Sequence, residues 1–171
     1  MNPVLERWNS LPLDEAKGEV LSCCGSHAWA ALLAATRPYA EEKTLFAAAD
    51  EYWRSLPEAD WLEAFRSHPR IGERHAQTQT TATSAAWSRS EQGQMNEADA
   101  AILLRMREGQ RAYEERFGRI FIVCASGRSP SELLGILEHR LKSDPGQELL
   151  ESGEQQRQIM QLRLRKWLAT V

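Results

Sequence analysis

Ser67-His68-Pro69-Arg70-Ile71-Gly72 sets a titratable imidazole between the end of an expected helix and a Pro/Gly turn. Proline fixes its own φ and confines the residue before it to an extended conformation, so the backbone aims the His68 ring before any ligand arrives. General acid or base catalysis needs that preorganisation. A histidine at a helix end often does no more than donate to a carbonyl; the His-Pro pair turns the reading towards chemistry.

A second group follows in Trp87-Ser88-Arg89-Ser90-Glu91-Gln92-Gly93. On a helical turn Ser88 and Glu91 share one face. Glu is seldom buried, but Trp87 and Met95 put apolar groups on that face, and a partly desolvated carboxylate gains from pairing with His68 or a ligand N–H. Ser88 and Gln92 add hydrogen-bonding groups. The set suits a small, flat, polar heterocycle with urea-like edges.

Arg163 stands in Ile159-Met160-Gln161-Leu162-Arg163-Leu164, among apolar neighbours, and a partly buried Arg usually has an anion to bind. Arg128 and Arg140 are lesser candidates for that job, while Arg163, Arg165 and Lys166 as a group also fit a solvated helix end, where cations complement the dipole. His27, His75 and His139 are scattered, and no His, Cys or carboxylate cluster has metal-ligand spacing, so no metal is expected. Dinucleotide, NTP and serine-hydrolase motifs are missing. Cys23, Cys24 and Cys124 lie in apolar stretches and read as structural.

The elements that must position these groups read as helices. Apolar periodicity from Asp14 to Pro38 breaks at Gly25-Ser26, where Ser26 can cap a second helix. Thr44 is placed as the cap of a third, carrying Leu45, Ala49 and Trp53, and Pro57 opens a short one that His68 directly follows. Residues 73–86 lack periodicity and read as a long loop of the kind that borders active sites. Asn96 is placed as the cap of a helix through Phe117, with Ala100, Leu103, Leu104, Met106 and Tyr113 towards the core and Gly118 closing it. Ile120 to Ala125 is β-branched and aromatic but has no partner strand, so an irregular, buried, extended piece is expected. Ser129-Pro130-Ser131-Glu132 is a capping box, and a last helical pattern after Pro145 is expected to be interrupted near Ser152-Gly153. The class is all-α: one domain over residues 1–171, a bundle of about seven or eight helices.

These segments, with Phe121-Ile122-Val123-Cys124-Ala125-Ser126-Gly127-Arg128, resemble the family of 2-oxo-4-hydroxy-4-carboxy-5-ureidoimidazoline (OHCU) decarboxylases of urate breakdown, from the Leu21 region to the last helix. The resemblance implies His68 as catalytic residue with Glu91 as its acidic partner. It implies substrate contacts at Pro69, at Ser88, Arg89, Ser90 and Gln92, and along Phe121, Ile122, Val123, Cys124 and Ala125. A substrate-binding C-terminal Arg corresponds to Arg163, with Arg165 nearby in a similar setting. The implied substrate carries a carboxylate and a hydroxyl on one ring carbon beside a conjugated C=N, which can take up the electrons released with CO2, so no cofactor is called for. A single allantoin enantiomer and a homodimer are implied as well.

Bulk properties agree with a small-molecule enzyme. At 171 residues a chain can bury most of its unfolded surface without disulfide or metal staples. A net charge of -3 gives no general attraction to nucleic acid or anionic membrane. Three cysteines make no secreted disulfide framework, no apolar run spans a bilayer, and neither a signal peptide nor a peroxisomal tail is read, so the cytoplasm is expected. Two rivals remain at this point: an interaction module using the six Trp as anchors, and a purine-ring hydrolase using His68 and Glu91 on water.

Overall fold

A computed structural model of the chain describes residues 2–73 and 75–170. It divides into two compact units: the residues up to Ala64 together with those from Arg157 onwards, and Phe65–Gln156. Among the described residues there are nine α-helices, one short 3-10 helix and no strand, which is the all-α class read from the sequence.

In the first unit α1 (Pro3–Ser10) starts where the Asn2 side chain accepts from the Val4 and Leu5 N–H groups, with proline at the first helical position. α2 (Leu13–Cys24) stops at Gly25, whose φ of 83° is left-handed and free of a Cβ clash. Ser26 then accepts from Trp29 N–H and opens α3 (His27–Ala35) as expected. α2 packs on α3, and α3 on α4 (Glu42–Ser55). Thr44 does not cap α4. It lies in the first turn, and the cap position is held by Glu41 without a side-chain bond, where the acidic Glu41 and Glu42 complement the helix dipole instead. α5 (Glu58–Arg66) follows, its last residues belonging to the second unit.

Tryptophan builds this unit's core. Each buried indole removes on the order of 200 Å² from water, about 5 kcal/mol of transfer free energy at ~25 cal/mol/Å², provided its N–H finds an acceptor. Trp8 and Trp29 donate to the carbonyls of Ala16 and Ala49, and Trp61 donates to that of Trp53 while stacking on its ring at 5.4 Å. Trp8 also stacks on Tyr39 and meets Trp167 of α9 (Pro145–Leu168) edge-on. Most of the Trp count that makes an interaction module attractive is therefore spent inside the fold.

In the second unit α6 (Ala82–Glu91) begins inside the stretch expected to be a loop. Thr81 caps it by accepting from Ser84 N–H at 3.0 Å, and its alanines favour helix. Its buried positions are the small polar residues Ser84 and Ser88, so an apolar stripe was absent where a helix was not. The loop shortens to about residues 73–81, of which Arg74 lies outside the described residues. A 3-10 helix (Gly93–Glu97) holds Asn96, and Asp99 caps α7 (Ala100–Phe117) by accepting from Ile102 N–H at 2.8 Å. Asp serves there because it satisfies an end N–H and also opposes the positive dipole end. The buried face of α7 is Met106, Gln110 and Tyr113; Ala100 and Leu104 are exposed, Leu104 at 51%.

Gly118 (φ 70°) closes α7, and residues 120–125 are buried and carry no regular secondary structure. The Ser129 capping box and Pro130 open α8 (Pro130–Arg140), which packs against α7. α9 is uninterrupted: Ser152 spends its hydroxyl on Arg140 and Tyr113 rather than on nearby backbone, which removes the competition through which serine weakens helices.

Candidate active site

His68 follows α5 at a tight turn, its N–H donating to the Phe65 carbonyl at 3.1 Å, and it is 7% exposed. After Pro69, residues 70–73 form a second turn in which Glu73 N–H donates to the Arg70 carbonyl at 2.9 Å and Gly72 has φ 85°. A positive φ at the third position is the type II signature, which glycine alone adopts without cost. Pro69 makes an isolated antiparallel bridge with Ala76.

Side chains from two other elements grip this turn by its backbone. Gln110 of α7 accepts from Ile71 N–H at 2.8 Å and donates to the Ile71 carbonyl at 2.9 Å. Gln92, the C-cap of α6, accepts from Gly72 N–H at 2.9 Å. Arg70 adds a forked pair to Glu114 at 2.7 and 3.2 Å, which raises the guanidinium pKa further above its ordinary value.

The imidazole itself meets α9. His68 Nε2 lies 2.7 Å from Gln156 Oε1, and Gln156 is 0% exposed. A carbonyl oxygen can only accept, so this contact holds the proton on Nε2 and, in the neutral ring, leaves the lone pair on Nδ1. The sequence offers Glu91 as the partner of the ring; the partner seen at Nε2 is an amide.

Residues 120–125 are pinned in the same manner. Cys124 N–H donates to Gln155 Oε1 at 2.9 Å, and Gln155 is itself steadied by donating to Glu151. Arg128 Nε donates to the Cys124 carbonyl at 3.1 Å and Arg140 Nη1 to the Ile122 carbonyl at 2.6 Å. Arg140 was a lesser candidate for an anion ligand, and its anion is internal: Glu148 Oε1 takes its Nε at 2.8 Å and also the Tyr113 hydroxyl at 2.6 Å. Burial, then this Glu148 contact, push the Tyr113 phenol up to about 12. The Arg140 guanidinium lies 4.7 Å over the Phe121 ring.

The second unit thus carries His68, Pro69, Ser88, Glu91, Gln92 and Phe121 through Ala125. Ser88 is buried and Glu91 half-buried on α6, whereas Arg89 and Ser90 on the same helix are exposed. A cavity of about 340 Å³ borders the far side of the turn, from Arg70 to Glu73 against α7; its lining includes neither His68 nor Glu91. In the first unit Arg163 is 1% exposed and donates to the Ser22 carbonyl at 3.3 Å. Arg165 is exposed, its guanidinium 5.2 Å over the Phe46 ring, so only Arg163 of the two has the burial expected of an anion ligand. Cys23 and Cys24 are buried there too, desolvation raising both thiols, Cys24 to about 12, as structural cysteines require.

Sequence reasoning missed Gln110, Gln155 and Gln156. The available signal was the pair Gln155-Gln156 in a helix that keeps Ile159 and Leu164 on its buried side, where amides need partners.

A model of the OHCU decarboxylase family matches residues 9–165. The uric acid degradation bifunctional protein TTL of Arabidopsis thaliana is 32% identical over 148 residues, 84% of this chain; the chain spans 44% of that protein's length. The 2-oxo-4-hydroxy-4-carboxy-5-ureidoimidazoline decarboxylase of Amia calva is 34% identical over 165 residues, covering 94% of this chain and 91% of the relative. Among solved structures, an OHCU decarboxylase crystallised in the presence of (S)-allantoin superposes with a TM-score of 0.76 at 31% identity, over 89% of this chain and 98% of that one. An (S)-allantoin synthase, at 19% identity and a TM-score of 0.72 over 95% and 53%, shares the fold.

Proposed function

Because this chain belongs to the OHCU decarboxylase family, we propose that it is a carboxy-lyase of urate degradation that converts OHCU to (S)-allantoin and CO2, with His68 as general acid/base. The observation that carries this reading is the run of the family match from residue 9 to 165, within which the His68 turn is held from three sides. One OHCU decarboxylase-like domain over residues 1–171 is part of the proposal.

The chemistry follows from the substrate. Breaking the bond to the carboxylate sends its electron pair towards the adjacent C=N, which takes up a proton at nitrogen, so the ring is its own electron sink. The hydroxyl on the same carbon then gives up its proton as that carbon becomes a carbonyl, and the neighbouring carbon is protonated. His68 handles the hydroxyl proton through Nδ1, the nitrogen that carries the lone pair when Gln156 holds Nε2–H. Glu91 is the acidic partner in the site, pairing with a ligand N–H, and proton delivery to one ring face gives one enantiomer. Ser88 and Gln92 bind the ureido edges, with Pro69, Arg89 and Ser90 as further contacts carried by the family correspondence. Arg163 is proposed as the anion ligand on that correspondence. The apolar wall from Phe121 through Ala125 suits the leaving carboxylate, since poor solvation disfavours its charge relative to neutral CO2.

Among the described residues no helix is long and apolar enough to cross a membrane. Cytoplasmic residence and a homodimer complete the proposal, the dimer resting on family resemblance and testable by sedimentation. For the activity, urate is converted in place by uricase and hydroxyisourate hydrolase, and the nascent OHCU is followed by circular dichroism and CO2 release. The chain is expected to accelerate both signals and to yield (S)-allantoin. Ring opening without CO2 would assign it to a purine-ring hydrolase instead, and an unchanged background rate would refute both.

A further inference from the structure

We propose that Gln156 is a positioning residue: its amide oxygen selects the Nε2-protonated tautomer of the neutral His68 ring, which places the base's lone pair on Nδ1. The inference rests on the reading of His68 as the proton-handling group.

Three observations carry it. The contact is short, 2.7 Å, and both partners are buried, so water competes poorly for either. The partner is an amide. A carboxylate at the same place would also fix the tautomer, but its charge would favour imidazolium and take the ring out of service as a base near neutral pH. The third observation is the neighbour. Gln155 holds the Cys124 N–H from the adjacent position of α9, so one turn of one helix fixes both the imidazole and the extended segment proposed as the pocket wall. Gln155 is oriented without ambiguity, since Cys124 N–H only donates and the Glu151 carboxylate only accepts. With Gln156 beside it, α9 supplies acceptor oxygens to both clients.

The test reads the ring directly. Long-range 15N–1H correlation spectra of uniformly labelled protein report the tautomer of each imidazole, with His68 assigned by its loss in His68→Asn. Wild-type His68 is expected as the Nε2–H form. In Gln156→Leu the acceptor is gone; the tautomer mixes, and kcat falls roughly 100-fold, the scale of a misplaced catalytic group, with KM little changed. Gln156→Glu keeps an acceptor of similar reach and restores the Nε2–H form, but the acid limb of kcat/KM moves up by about one pH unit or more because the carboxylate stabilises imidazolium.

An Nδ1–H ring in wild type would overturn the proposal, and so would a Gln156→Leu protein with an unaltered His68 spectrum. Should Gln156→Leu fail to fold, Gln156→Glu carries the test, and an acid limb no higher than that of wild type would overturn the proposal. Absence of CO2 release by wild type would refute the decarboxylase reading and leave the tautomer measurement standing.

Discussion

Gln110 and Ile71 exchange two hydrogen bonds, the amide oxygen taking the Ile71 N–H at 2.8 Å and the amide nitrogen reaching the Ile71 carbonyl at 2.9 Å. A side-chain amide here does what a neighbouring strand would do, and both partners are buried. Gln110→Leu strands a buried donor and acceptor, each costing about 1–3 kcal/mol. The urea midpoint is expected to fall and, because the turn carrying His68 loosens, turnover to fall with it. A variant as stable and active as wild type would show the clamp to be dispensable.

His68→Ala is expected to lower OHCU turnover by several orders of magnitude with the helical circular dichroism spectrum intact, and near-normal activity would remove His68 from the mechanism. Glu91→Ala should also reduce kcat severely. A change confined to KM would make Glu91 a binding residue.

Arg140 and Glu148 form a buried pair that also serves the Ile122 carbonyl, Ser152 and Tyr113. Removing one charge leaves the other uncompensated, so Arg140→Met is expected to destabilise by about 3–5 kcal/mol. The double variant Arg140→Met/Glu148→Leu should be less destabilised than the sum of the single changes, which a double-mutant cycle in urea measures.

Alkaline pH should weaken the fold through Tyr113. Its phenol has an ordinary value of 10.0 in the unfolded chain, and burial, then the Glu148 contact, push it up to about 12 in the fold, so the stabilisation is fully present below pH 10 and lost as pH rises from there towards 12. The drop in urea midpoint between pH 9 and pH 11 should be smaller in Tyr113→Phe than in wild type; equal drops would exclude Tyr113 as a source.

What could be read from the sequence was what is local. The Ser26 and Ser129 caps, the Gly25 and Gly118 stops and the irregular, strandless run of residues 120–125 depend on neighbours a few positions away, and the structure keeps all of them. Adjacent signals competed where the reading slipped: Asn96 and Asp99 are both good caps, and a helix whose buried face is serine shows no apolar stripe. The His68 motif was legible because its own backbone shapes it. Its supports were not, since Gln110, Gln155 and Gln156 look like ordinary helix-surface residues, and Gln156 stands 88 positions from the ring it holds. Burial of an amide is decided by what lies opposite it in space, which periodicity along the chain cannot report.

The stretch from Ile120 to Ala125 has its main chain tied at Ile122 and Cys124 by side chains that belong to α8, α9 and the turn before α8. Its trace is thus specified from elsewhere, and its own residues are released from that duty. Exchanging Val123 or Ile122 for another apolar residue should recontour the proposed pocket wall while the ties hold, so that, if the wall meets substrate as proposed, these positions would alter which ring is accepted without redesign of the scaffold.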